Sequence, residues 1–196
     1  MSHRAARTAQ QGFALLEVLV TLVLLTMGTL GVVGLLLHAR QANEQSLAYT
    51  RATLLAEGML ERIRANPTAA GLAIYSAPAP ISPATTAPPG SDCRTGNCTP
   101  AQLAHFDLYD WAQHIASRDT SGQQQDGLPG ARGCITIRPA DPEPGTMAQA
   151  TIVLAWQGTG GGRTAAPDEG PVNCASDGLG AGRQFVALTT GYVVDT

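Results

Sequence analysis

The chain has 196 residues, 12 basic and 15 acidic side chains and a formal net charge of −3, so its length suits one ordinary domain. All the basic residues are arginines and aromatic residues make up only 5% of the chain. Neither a polybasic patch nor an aromatic stacking platform is available, and we expect no nucleic-acid partner.

The first predicted element is an apolar helix over residues 13–37, in which Glu17 is the one ionisable side chain. It measures about 37 Å at about 1.5 Å per residue, enough to cross a hydrocarbon core of about 30 Å with some tilt. A secretory signal has a shorter apolar core of about 7–15 residues, so a membrane span is predicted instead. Two arginines precede the run, whereas Arg40 and Glu44 balance each other after it, which predicts a cytoplasmic N-terminus and a head outside the cytoplasm.

Glu17 is unfavourable inside this segment, because a carboxylate at the centre of a span costs about 2.5–3.5 kcal/mol. Two accounts explain its presence. In the first, the side chain reaches the membrane interface, about one turn away, and is solvated there. In the second, another group compensates the carboxylate.

The sequence QGFALLEVL at residues 11–19 resembles the class III signal of type IV pilins and pseudopilins. In that family a prepilin peptidase removes a short leader that ends in Gly, the new N-terminus is methylated, and the fifth mature residue is Glu. The resemblance implies a leader over residues 1–12, cleavage between Gly12 and Phe13, and methylation of Phe13. It also implies that Glu17 neutralises the Phe13 ammonium of a neighbouring subunit in a filament.

The helical pattern of apolar residues continues beyond the apolar run and predicts a helix to Ala65, where Asn66-Pro67 ends it. Residues 13–65 form about 80 Å of helix, more than a small domain needs for its own core. This division resembles the pilin spine, with residues 13–37 in the membrane, 38–65 in the periplasm and a globular head over 66–196.

The composition then changes, and seven prolines between residues 67 and 100 predict a surface connector without regular structure. Thr99-Pro100-Ala101-Gln102 predicts the start of a helix over about residues 99–117, with a capping box and Pro at the first position. The apolar face of this helix is Ala104, Leu108, Trp111 and Ile115. His105 and His114 fall off this face, so solvated histidines are expected there.

Four cysteines in a head outside the cytoplasm predict two disulfides, with three possible connectivities. The Gly-Asn turn between Cys93 and Cys98 favours that pair and leaves Cys134 and Cys174 for the other. A zinc site is disfavoured because only one pair is close in sequence. The connectivity stays open at this point.

Three β patterns follow, at residues 134–138, 149–157 and 184–194. In the middle one Ile152, Leu154 and Trp156 alternate with less apolar residues, which predicts an antiparallel sheet with one half-buried face. The expected fold is therefore α+β and pilin-like, with a long N-terminal spine helix packed on a small antiparallel sheet.

The C-x4-C segment and the helix after it resemble the heads of PilV-type minor pilins, with Asp107 or Asp110 and Trp111 at the matching positions. This resemblance implies a minor pilin in the initiating or tip complex of a type IV pilus, acting in pilus assembly, twitching motility and adhesion. Its implied partners are the prepilin peptidase, the major and other minor pilins, and the inner-membrane assembly platform. The precursor is expected in the inner membrane and the mature protein in the pilus at the cell surface.

Two alternatives remain open from the sequence. A minor pseudopilin of a type II secretion system shares the leader and the spine, and a permanently anchored periplasmic binding protein has a Glu17 that only reaches the interface. No nucleophile-elbow, metalloprotease, P-loop or dinucleotide motif is present, so neither catalysis nor a cofactor is expected. Asp119 and Asp126 lack the ligand spacing of an EF-hand, and a solvated turn is predicted there.

Overall fold

The computed structural model describes residues 15–76, 80–116, 128–139, 143–158, 174 and 183–195. The chain divides after Ala42 into an N-terminal unit and a head unit, Asn43–Thr196. The elements are α1 (Leu15–Ala65), α2 (Ala69–Tyr75), α3 (Pro100–Ile115), β1 (Arg132–Arg138), β2 (Met147–Gln157) and β3 (Arg183–Val193). A long N-terminal helix with a small antiparallel sheet confirms the predicted α+β, pilin-like fold class.

The part of α1 that belongs to the head unit contributes a narrow stripe of buried residues. Ala52, Ala56, Met59 and Ile63 are fully buried and recur every three to four residues, the spacing of one helix face. The helix ends at Ala65, as the following Asn66-Pro67 predicts, because proline disfavours helical geometry in the residue before it.

The prediction of an unstructured connector over residues 67–100 is wrong at its start, where α2 forms two turns of helix. Thr68 caps this helix by accepting a hydrogen bond from the Gly71 N–H at 3.1 Å. The segment between Pro67 and Pro78 is free of proline and rich in alanine, which suits a helix. A strong local cap therefore outweighs the overall Pro-rich composition.

The predicted capping box of α3 is present. The Gln102 N–H donates to the Thr99 hydroxyl at 3.3 Å, and the Gln102 side chain accepts from the Thr99 N–H at 2.9 Å. The expected apolar face is buried, with Ala104 and Ile115 fully inaccessible. The helix ends at Ile115, two residues before the expected boundary at 117, which lies outside the described residues.

The three strands form one antiparallel sheet in the order β1-β2-β3, and each begins one or two residues before its predicted start. The expectation of a half-buried sheet is wrong for β2, which is buried from Ala150 to Trp156. The head core covers one face of this strand, and a cluster of Cys134, Cys174 and the half-buried Phe185 packs on Val153 at the other.

Gly133 of β1 is the position where α3 comes closest to the sheet. A Cβ atom built there would lie 2.1 Å from the Trp111 ring, which is far inside van der Waals contact. The Trp111 indole N–H also donates to the Leu55 carbonyl at 2.9 Å, so the ring is held from both sides. Gly133 is therefore required for the close packing of helix and sheet.

We expect Gly133→Ala to destabilise the head by about 1–3 kcal/mol, because Trp111 cannot move away without losing its own contacts. Urea unfolding of the full chain in detergent measures the effect. The matched control is Gly191→Ala in β3, where the nearest atoms to a new Cβ lie 3.7 Å away or farther. Equal stability of the two variants would contradict this account.

Candidate functional site

The apolar half of α1 is the first candidate region, and its large side chains are exposed from Leu15 to Leu37. By length and composition α1 is apolar enough to cross a membrane. Thr21, Thr26 and Thr29 donate their hydroxyls to carbonyls three residues earlier at 2.8–2.9 Å, so the helix satisfies them internally. Lipid or other apolar helices can therefore surround this segment without leaving these hydroxyl groups unsatisfied.

Glu17 lies in the first turn of α1, next to exposed leucines such as Leu16. No hydrogen bond or ion pair joins its carboxylate to any other described residue. The predicted processing residues Gly12 and Phe13 lie outside the described residues. Within the described residues, the Glu17 carboxylate therefore lies alone on an apolar helix surface, and no basic side chain pairs with it.

The second candidate region is a charged junction made of Arg62, Tyr75, Arg94, Asp107 and Asp110 in the head. Arg62 lies in the last turn of α1, while Asp107 and Asp110 lie three residues apart on α3 and so share one helix face. The Arg62 guanidinium lies 2.6 Å from Asp110 and 3.5 Å from Asp107. It also donates to the Asp107 carbonyl at 3.3 Å. One guanidinium therefore ties α1 to α3.

The other groups of the junction bring in α2 and the disulfide loop. The Tyr75 hydroxyl donates to Asp107 at 2.6 Å, and Arg94 forms an ion pair with Asp110. His114 lies 3.4 Å from the Asp110 carboxylate, and its Nδ1 lies 2.7 Å from the Asp110 carbonyl oxygen. Three helices and one loop thus converge on two carboxylates.

The pKa values of the two aspartates are shifted in opposite directions. Burial raises the pKa of Asp107, and the nearby Asp110 raises it further, against the opposing hydrogen bond from Tyr75 and charge of Arg62. Burial also acts on Asp110, but the hydrogen bond and charge of Arg62, with His114 and Arg94, outweigh it and hold its pKa below the usual range. Burial, with the hydrogen bond to Asp107, raises the pKa of Tyr75.

The disulfides join Cys93 to Cys98 and Cys134 to Cys174. The first closes the loop that carries Arg94, whose guanidinium also lies 5.2 Å from the centre of the Phe106 ring. The second holds Cys174 against the outer face of the sheet. Within the described residues, no three His, Cys, Asp or Glu side chains cluster in a way that could hold a metal ion. Asp119 and Asp126 lie outside those residues.

The sequence predicted only the two aspartates of the charged junction. It left Asp107 and Asp110 as alternatives, and both carboxylates bind Arg62. It missed Arg62 and Tyr75, because no local pattern links residues that are more than thirty positions from their partners. His105 and His114 are exposed as expected. Tyr192 of β3 is buried, and burial raises its pKa to about 12.

Two protein-family models match the chain, and their matches adjoin. Residues 7–33 match the prokaryotic N-terminal methylation motif. Residues 34–109 match the model described as Tt1218-like, type IV pilin Tt1218, and this range includes the end of α1, α2, the C-x4-C loop and Asp107. No curated protein and no solved structure matches the chain.

We expect Asp110→Asn to destabilise the head by about 2–3 kcal/mol at pH 7, because Arg62 and Arg94 lose their shared carboxylate. The pKa of Asp110 is lowered in the folded state, so its contribution is present above the unfolded pKa of about 3.9 and disappears as the pH falls through the folded value. Urea unfolding of the full chain in detergent at pH 7 and below pH 3 measures both differences.

We expect the stability of Asp107→Asn to depend on pH in the opposite direction to that of Asp110→Asn. Because the pKa of Asp107 is raised in the folded state, ionisation disfavours folding, and the variant gains stability relative to the native protein as the pH rises through that value. Glu57→Gln, at an exposed position of α1, is the neutral control and should change stability by less than about 0.5 kcal/mol. The same pH trend for both aspartate variants would contradict the electrostatic assignment.

Proposed function

We propose that this chain, a member of the type IV pilin family, is a PilV-type minor pilin that enters a type IV pilus in small numbers, in its initiating or tip complex. Pilins are structural proteins, and this one is not an enzyme. Its work is assembly, with pilus biogenesis, twitching motility and adhesion as consequences. The match over residues 34–109 to a model named for a type IV pilin supports the pilus over a secretion system.

The observation that carries this proposal is the single carboxylate of Glu17 in an otherwise apolar helix surface. Membrane anchoring alone does not need it, and a carboxylate there opposes insertion. In a packed filament it would neutralise the ammonium of a processed Phe13 on a neighbouring subunit, since opposite charges attract strongly where water is excluded. Either charge alone would be buried without compensation, so the pair would select the correct register.

The match to the N-terminal methylation motif and the apolar N-terminal helix support a membrane-anchored pilin. We further propose that residues 1–12 form a cytoplasmic leader, that residues 13–37 cross the inner membrane, and that residues 38–196 lie in the periplasm before assembly. Prepilin peptidase would act at Gly12 and Phe13 on the cytoplasmic face. The assembly platform and the other pilins are the remaining proposed partners.

The head would serve as a rigid unit in that assembly. The charged junction and the Cys93–Cys98 loop hold α2 and α3 against the α1 segment of the head. Contacts with neighbouring pilins then meet a preformed surface, which lowers the entropy lost on association. The junction thus supports assembly without touching a substrate.

Mass spectrometry of the native N-terminal peptide tests the processing. We expect a peptide that begins at methylated Phe13 in cells with prepilin peptidase, and a peptide that begins upstream of Gly12 in cells without it. An unprocessed N-terminus in both strains would favour the permanently anchored binding protein, in which Glu17 only reaches the membrane interface.

We expect Glu17→Ala to leave membrane insertion intact and to reduce entry into sheared filaments at least about tenfold, because the Phe13 ammonium loses its counter-charge. Membrane fractionation and immunoblotting of the filaments measure the two steps separately. Glu57→Ala, at an exposed position of the same helix, is the matched control. Normal incorporation of the Glu17 variant would refute charge neutralisation.

A further inference from the structure

The hydrogen bonds at the end of β3 show which of its backbone groups point away from the sheet. The Val194 N–H donates to the Thr146 carbonyl at 3.0 Å, on the side of β2, whereas the Asp195 N–H donates to Pro67 at 2.9 Å on the other side. Backbone groups alternate between the two edges along a strand. The odd-numbered residues of β3 therefore point away from β2.

The other side of the sheet gives the same assignment independently. Gly133 exchanges both hydrogen bonds with Ile81 at 2.7 and 2.9 Å, so its backbone points away from β2 and that of Cys134 points toward it. Cys134 lies opposite Val153, which therefore points toward β1. Ala187 lies opposite Val153 on the other side, and its backbone accordingly points outward.

We name the outward-pointing residues Ala187, Thr189, Gly191 and Val193 the outer edge. Among the residues that the structure describes, no backbone group hydrogen-bonds to these four. Among the same residues, one side-chain contact reaches their backbone, from the Thr190 hydroxyl to the Gly191 carbonyl at 3.5 Å, which is at the limit for a hydrogen bond. The Thr189 side chain bonds to the Thr151 hydroxyl at 3.1 Å and leaves the Thr189 backbone groups free. The outer edge thus offers a row of donors and acceptors about 20 Å long.

In the part of the chain that the structure describes, this edge lacks the features that usually prevent strand addition. Its strand has 11 residues in uninterrupted register, with neither a proline nor a bulge, and its only charge is Arg183 at the first position. The opposite edge strand, β1, has 7 residues and is covered by Ile81 at Gly133. Apolar surface is also left at the outer edge, since Val186 and Leu188 are half-buried and Val193 is 53% exposed.

We propose that the outer edge binds an extended segment of another protein, which adds to the sheet as a fourth strand. Only an extended backbone repeats donors and acceptors at the spacing of this edge. The neighbouring side chains of Ala187, Thr189 and Val193 are uncharged, so the partner segment is uncharged and carries apolar or hydroxyl side chains at alternate positions. This inference does not depend on which filament or secretion system the protein serves.

A second copy of the same chain fits this edge poorly. Tyr49 bonds to Gln184 and Arg64 bonds to Thr190, so the α1 segment of the head runs in the same direction as β3. Two outer edges related by a two-fold axis would pair antiparallel, and their α1 segments would then run in opposite directions. An extended segment of a different protein places no such demand on α1, so it is the better occupant.

The test places the photo-crosslinking residue p-benzoylphenylalanine at Ala187 of the full chain in its native cells. We expect crosslinking to one extended peptide of another protein. Adding Gly191→Pro should lower the crosslink yield at least about tenfold, because proline removes an outward N–H that β2 does not use. Gly191→Ala keeps that N–H and has room for its Cβ, so it should change the yield less than about twofold.

Urea unfolding of the purified full chain shows whether Gly191→Pro keeps the fold. If it does not, Val193→Pro with Val193→Ala repeats the comparison at the next outward N–H. Absence of a crosslink, a crosslink that proline leaves unchanged, a crosslink within the same chain, or one between two copies would each overturn the proposal. The readout is the crosslinked peptide rather than piliation, so its failure is distinct from failure of the proposed function.

Discussion

The structure of the head depends on the Arg62 guanidinium, which forms a close ion pair with Asp110 and also contacts Asp107. Asp107 accepts a further hydrogen bond from Tyr75 of α2, and Asp110 also contacts Arg94 of the disulfide loop and His114. A buried carboxylate without such partners would destabilise the fold. The pairings therefore specify one arrangement of the three helices, which apolar contacts alone would define less sharply.

The N-terminal unit differs from the head because its apolar side chains are exposed. Its leucines and valines are exposed, so replacing water by lipid or other apolar helices is favourable for this unit. In such surroundings apolar contacts are nearly equivalent to one another, and they distinguish poorly between registers. One carboxylate then has a large influence, because a charge in a medium of low dielectric needs a partner at a defined place.

Both faces of the sheet are packed, whereas its two edges differ. On the inner side Tyr49 packs edge-on against Trp156 at 5.0 Å between ring centres, and on the outer face Cys174 covers Val153. One edge of the sheet is covered by Ile81, while the other retains backbone groups that point outward. Within the described residues, the head is thus well packed where its own elements meet, and backbone groups without partners remain at the outer edge of β3.

The sequence by itself determined the features that depend on neighbours along the chain. The apolar run with Glu17, the end of α1 at Asn66-Pro67, the capping box of Thr99 and the presence of three strands all follow from periodicity and local hydrogen bonding. The family resemblance followed from the same short segments. The Pro-rich composition led to a wrong prediction at residues 69–75, because Thr68 caps a short helix there.

Only the tertiary structure decided which distant groups meet. Arg62 reaches Asp107 and Asp110 across more than forty residues, Gly133 makes room for Trp111, and the backbone of β3 points outward only once its register with β2 is known. Such pairings depend on how elements pack in three dimensions. A local sequence pattern carries no information about them, because the energy of each contact arises only after the elements have come together.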